Sequence, residues 1–115
     1  MEIHDEAMSA AQYALQGLSE RADVRSHNVS NINTPGFRAE RVDFESSLQS
    51  ALQRGSPEAA PDPVREASPQ MPDGSWNTAS LEDEMVGMMK DNLQRDAMVN
   101  AYNYKAGIMR TAING

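Results

Sequence analysis

Apolar side chains recur at alternating spacings of three and four at both ends of this chain, and a proline-rich stretch separates the two ladders. Near the N-terminus the positions are Met8, Ala11, Leu15, Leu18, Ala22, Arg25, Val29 and Ile32. Seven of these eight are apolar, which reads as a narrow a/d seam on a helix over about residues 5–32. At the other end the ladder is Leu81, Met85, Met88, Asn92, Arg95, Val99, Tyr102, Ala106, Met109 and Ile113. A second stripe, Val86, Met89, Leu93 and Ala97, runs beside it, so this helix can meet more than one neighbour. Rods of ~28 and ~33 residues are roughly 42 and 50 Å long. Their similar length predicts antiparallel pairing, and the fold class is mainly α: long N- and C-terminal helices in an antiparallel coiled coil around an irregular middle.

Arg25 interrupts the first seam. Either it snorkels to the seam's edge, or it fixes register by finding an acidic partner.

The first helix runs into SHNVSNINTPGF, residues 26–37. Pro35 cannot continue a helix and biases Thr34 away from helical angles. Pro-Gly suits the central positions of a type II turn, where glycine accepts a positive φ. Asparagine side chains bond nearby backbone, so Asn31, Asn33 and Thr34 are expected to close the helix. Beyond it, Val42 and Phe44 alternate with charges, which predicts a short extended piece, and Phe44, Leu48, Ala51 and Leu52 give about two helical turns.

Residues 54–80 hold five of the six prolines and read as a flexible loop. Asp73-Gly74 is a turn pair that allows a short β-hairpin at 71–76, and Trp76 is expected to dock on a helix or a neighbouring subunit. Ser80 opens the last helix in a capping-box variant with Asp83. Glu82, Asp83 and Glu84 occupy its first turn, where the helix dipole favours negative charge, Lys105 and Arg110 lie toward its other end, and Gly115 is the last residue. The organisation is therefore 1–34 helix, 35–53 turn and connecting segment, 54–80 loop and 81–115 helix.

With 115 residues and 5% aromatics, the chain builds only a small core, and part of its stability is expected from partner subunits. The net charge of −7 is shared between the halves with no basic stripe, which argues against nucleic acid and anionic membranes. There is no cysteine, hence no disulfide, thiolate nucleophile or zinc ribbon. The opening MEIHDEAMSA lacks a basic n-region and an apolar h-region, so no cleavable secretory signal is expected. No apolar run approaches the ~20 residues of a membrane span.

Catalytic chemistry finds little footing. Glu82, Asp83 and Glu84 point ~100° apart on a helix and do not converge on one ion. His4 and His27 are too far apart on one helix to share a ligand. No Ser/His/Asp set or phosphate loop occurs, so neither an enzyme nor a cofactor is expected. The five methionines of the last helix suit packing against non-identical neighbours.

The stretch HNVSNINTPGFRAERVDFE, residues 27–45, resembles the N-terminal motif of bacterial flagellar axial proteins, the rod and hook family. There an Asn-Asn-Ile-Ala-Asn block precedes Thr-Pro-Gly-Phe/Tyr and a basic residue. Asn28, Val29, Asn31, Thr34, Pro35, Gly36, Phe37 and Arg38 match. His27 and Ser30 stand where Asn and Ala are usual. The C-terminal SLEDEMVGMMKDNLQRDAMVNAYNYKAGIMRTAING resembles the proximal rod members, with a Leu-Glu-x-Glu-Met start and an Arg-Thr-Ala-Ile end. Asp96-Ala97-Met98 depart from their usual Tyr-Gln-Ala. The resemblance covers both ends and leaves the proline-rich middle unmatched.

The resemblance implies a structural subunit of the proximal rod of the flagellar basal body, in the periplasmic space, exported by the flagellar type III apparatus without a cleaved signal. Its terminal helices would be largely disordered in the monomer and fold together in the assembled tube. Partners would be other rod subunits, the membrane-ring adaptor and the export apparatus, and the rod would pass torque to the hook and filament. The assembly seam would be Met8, Ala11, Leu15, Leu18, Ala22, Val29, Ile32, Leu81, Met85, Met88, Val99, Tyr102, Met109 and Ile113. The turn motif would be Asn28, Asn31, Thr34, Pro35, Gly36 and Phe37. The alternatives are a soluble helical adaptor or export chaperone that clasps a partner helix, and a wall hydrolase that clears a path for the rod.

Overall fold

Among the described residues the fold consists of two long helices, a nine-residue helix and a two-stranded antiparallel sheet. The structure, a computed structural model, describes residues 6–69, 71–74 and 79–114. Helix α1 spans Glu6–Ser30, strand β1 Glu40–Val42, helix α2 Glu45–Gln53, strand β2 Arg65–Ala67 and helix α3 Leu81–Asn114, with a 3₁₀ turn at Pro57–Ala59. The expectations for His4, Trp76 and Gly115 lie outside the described residues.

Helix α1 is the element on which the others pack. It touches α3 along one side, and β1, α2 and the 3₁₀ turn along another. Its fully buried positions are Met8, Ala11, Tyr13, Ala14, Gly17, Leu18, Val24 and Asn28. Met8, Ala11 and Leu18 belong to the expected seam, but the buried face then leaves it, and Ala22 is exposed. The buried residues off the seam, Tyr13, Ala14, Gly17 and Val24, belong to the face that α1 turns to Val42 and Phe44.

The core is a cluster of Tyr13, Ala14, Leu18, Val24, Val42 and Phe44, with Leu48, Ala60 and Met98 packed against it. Phe44 is its centre. A Cβ on Gly17 would lie 2.2 Å from the Phe44 ring, so glycine is what lets the ring lie against the α1 backbone. Tyr13 meets the same ring edge-on at 6.3 Å, and its hydroxyl donates to the carbonyl of Pro61 at 2.6 Å. Burial pushes the Tyr13 phenol above its ordinary pKa.

The segment after α1 turns as the Pro-Gly pair dictates. The Phe37 N–H donates to the Thr34 carbonyl at 3.1 Å, and Gly36 sits at φ 75°, the sign that the third position of a type II turn requires. Phe37 packs back edge-on against His27 at 5.4 Å. Asp43 caps α2: its carboxylate accepts from the Ser46 N–H at 3.3 Å and the Ser46 hydroxyl at 2.9 Å. Those two hydrogen bonds hold its pKa below the ordinary carboxylate value.

Part of the 54–80 segment is anchored rather than loose. Pro57 is buried, and β2 pairs with β1 in the register Glu40–Ala67, Arg41–Glu66 and Val42–Arg65. Arg65 bonds Glu20 of α1 at 3.2 Å. The β pairing joins 40–42 to 65–67, and the hairpin expected at 71–76 lies in part outside the described residues. At that site the described residues show a turn closed by the Gly74 N–H on the Met71 carbonyl at 2.9 Å. Proline crowding predicted a loop because it reports local backbone preference, whereas β2 is held by partners distant in sequence.

Gly17→Val is expected to lower the urea midpoint by the equivalent of about 1–3 kcal/mol through overpacking against Phe44. The loss should shrink once Phe44 is cut to alanine. An equal loss in both backgrounds, followed by circular dichroism, would show that the ring is not what excludes the side chain.

Candidate assembly interface

Helices α1 and α3 run antiparallel and meet through a polar ladder. Arg21, Arg25 and Asn28 lie on one face of α1 at spacings of four and three residues, and Glu84 and Asp91 lie seven apart on one face of α3. The Arg25 Nε donates to Asp91 Oδ2 at 2.6 Å, and its Nη1 to Glu84 Oε2 at 3.4 Å. The Arg21 Nη1 reaches Asp91 Oδ1 at 3.4 Å. Further along, the Gln12 amide donates to the Tyr102 hydroxyl at 3.3 Å. Gly87 sits between the two acids, where a Cβ would lie 2.2 Å from the Arg25 guanidinium. The Arg25 head is thus laid across a notch in α3. It is the register-setting partner of two acids, not a side chain snorkelling to the edge.

Arg21 does more than pair with Asp91. Its Nε and Nη2 both donate to the Val42 carbonyl, at 3.2 and 2.8 Å. Nη2 also binds the Glu45 carboxylate, and the guanidinium lies 4.7 Å over the Phe44 ring. Burial, the largest single effect on this group, works against its charge, but Glu45 and Asp91 outweigh it and its pKa is raised.

Asn28 is the turn-motif residue with the most developed role. It lies inside α1 and is fully buried, so it does not close the helix end. Its Nδ2 donates to the Glu40 carbonyl at 2.9 Å and to Glu84 Oε1 at 3.1 Å, while its Oδ1 accepts from the Glu40 N–H at 3.1 Å. The side-chain amide thereby bonds the start of β1 as a neighbouring strand would and ties it to α3. Asn31 and Thr34 make the expected closure: Asn31 Nδ2 donates to the His27 carbonyl at 2.9 Å and the Thr34 hydroxyl to Asn31 Oδ1 at 3.2 Å. Glu84, expected as a helix-dipole charge, is in the first turn of α3 and also receives Arg25 and Asn28.

The remaining seam residues divide. Leu15, Val29, Ile32, Met88, Tyr102 and Met109 are half-buried, and Leu81, Met85, Val99 and Ile113 are exposed. Among the described residues α3 fully buries only Gly87 and Asp91. The second stripe faces away from α1 and continues beyond its sequence-stated end: Met89 is 67% exposed, Leu93 72%, Tyr104 73% and Ile108 46%. At ~100° per residue these four positions fall on one side of the helix. Sequence reasoning missed Arg21, Gly87 and Asp91 as interface residues. The one available signal was charge complementarity between Arg21 and Arg25 on one helix and Glu84 and Asp91 on the other, at helical spacings.

No described helix is long and apolar enough to cross a membrane. Among the described residues no group of His, Asp and Glu is placed to hold a metal ion.

Asn28→Ala should cost about 1–3 kcal/mol, because it leaves the partly buried N–H and carbonyl of Glu40 without their Asn28 partner. Asn28→Asp keeps the shape but cannot donate and sets a second carboxylate beside Glu84, so its urea midpoint is expected at or below that of the alanine variant. A near-wild-type midpoint for the aspartate would refute the clamp.

No family model matches the sequence, but curated proteins do. The chain is 30% identical to the flagellar basal body rod protein FlgB of Aeromonas hydrophila over 96% of its own length and 95% of the relative's. It is 39% identical to proteins of the same name from Yersinia ruckeri and Escherichia coli K12, over 44% of this chain and 37% of each relative. Similarity across nearly the whole of both chains shows that this chain belongs to the FlgB family of flagellar basal body rod proteins.

Proposed function

We propose that this chain is a proximal rod subunit whose α3 presents an apolar stripe to neighbouring subunits, so that the assembled rod passes torque from the membrane ring toward the hook and filament. The observation that carries this reading is the outward stripe of Val86, Met89, Leu93, Tyr104 and Ile108 in a chain whose relatives are rod proteins. A helix that pairs with its own chain through charges and holds its large side chains outward is built to be covered by something else. Neighbouring rod subunits are the partners, together with the membrane-ring adaptor at one end. Passage from the cytoplasm through the flagellar export apparatus, without a cleaved signal, accompanies this reading.

Within it, the Pro35-Gly36 turn redirects the chain from α1 into the β1–α2 layer at fixed geometry. Phe37 folded back on His27 and Asn28 clamped to Glu40 support that role. Replacing Pro35-Gly36 by Ala-Ala is expected to leave export into the periplasm intact and to impair rod assembly and swimming. Normal motility in that variant, with the protein present at wild-type level, would overturn the role given to the turn.

A further inference from the structure

With eight methionines and no cysteine, the thioether is the side chain of this protein that two-electron oxidants attack first. Exposure sorts the described methionines. Met8 is 2% exposed in the core, whereas Met85 is 54% and Met89 67% exposed. Met88, Met98 and Met109 are half-buried, and Met71 is exposed but lies outside the helices. Met85 and Met89 stand four residues apart on α3, so their side chains are neighbours on one side of it. Leu93 continues that row and Val86 lies beside it, both exposed, and the four make one apolar patch. Met85 also lines an open hollow with Arg25, Val86, Gly87 and Lys90, which solvent and small oxidants can enter.

We propose, resting on the assembly reading above, that Met85 and Met89 form a reversible oxidation site that switches off the association face of α3. A peroxide or a hypohalous acid transfers one oxygen atom to each sulfur. The sulfur loses two electrons, the O–O or O–halogen bond breaks, and water, or halide and a proton, leaves. The product is a polar sulfoxide in place of a flexible apolar side chain. Its oxygen accepts hydrogen bonds, and a neighbour packed on it through apolar groups would leave it without a donor. The free subunit is thus open to the oxidant and the assembled one protected, because association covers both sulfurs. Two thiols acting through a methionine sulfoxide reductase remove the oxygen as water, form a disulfide between themselves and restore the apolar face.

Graded hydrogen peroxide on the dilute full chain, read at each methionine by peptide mass spectrometry, tests the site, and sedimentation velocity of the same samples tests the switch. Met85 and Met89 should gain oxygen well before Met8, with the far-UV circular dichroism of the dilute chain unchanged. The oxidised wild type should associate with itself or with added rod subunits about tenfold more weakly or worse, the loss expected when two polar groups are desolvated without partners. Methionine sulfoxide reductases of both stereospecificities, with a thiol reductant, should restore association. The Met85→Leu, Met89→Leu double variant should associate as the wild type does and continue to do so after peroxide. A wild type that associates equally before and after oxidation, or a leucine variant that loses association to the same extent, would overturn the switch and leave the assembly reading standing. An untreated wild type that never associates would instead remove the assembly reading, and the switch with it.

Discussion

The guanidinium of Arg21 is the joint at which the fold's elements meet. One planar cation contacts the Val42 carbonyl of β1, Glu45 of α2, Asp91 of α3 and the face of the Phe44 ring, all from α1. Arginine suits this position because its fork presents several donors in fixed directions and its flat face stacks on an aromatic ring. A lysine could satisfy one of these partners as a point charge. The side chain is only 13% exposed, so the cost of desolvating it is met only because its partners converge. Where Phe44 sits, where β1 runs and where α3 crosses are therefore linked choices.

From that joint the chain acquires two kinds of surface. Helix α1 uses its apolar residues on the middle segment, Arg25 on α3, and Arg21 and Asn28 on both. Helix α3 answers with a glycine and two acids, with Met98 on the core and Tyr102 on Gln12, and leaves Val86, Met89, Leu93, Tyr104 and Ile108 outward. In an isolated globular protein such a stripe is a liability. In a member of a rod family it fits the proposed role, in which the register is set internally by charge and the apolar face meets a neighbouring subunit.

The long elements were legible in the sequence because their signals are local. Periodic apolar residues mark both helices, Pro35-Gly36 marks the turn, and the Ser80 cap is present, with the Asp83 N–H donating to its hydroxyl at 3.4 Å. The family was legible for the same reason, since the Asn-rich block and the Thr-Pro-Gly-Phe motif are contiguous. What stayed hidden depends on residues far apart in the chain. The fit of Phe44 against Gly17 and the Asp91 bonds to Arg21 and Arg25 each join positions that no short window contains. The apolar seams marked only part of the intrachain contact, because Glu84, Gly87 and Asp91 of α3 meet α1 beside the ladder residue Tyr102. Strand β2 was invisible in its proline-rich surroundings, since its pairing with β1 comes from tertiary contact.

The most direct measurement is sedimentation velocity over a wide concentration range, with far-UV circular dichroism on the same samples, for the wild type and for a Met89→Glu, Leu93→Glu double variant. If the outward face of α3 is an assembly surface, the wild type should associate and gain helical signal as concentration rises or other rod subunits are added. The double variant should stay monomeric at every concentration. A wild type that remains a compact, fully helical monomer throughout and ignores those subunits, as a self-sufficient adaptor would, contradicts it.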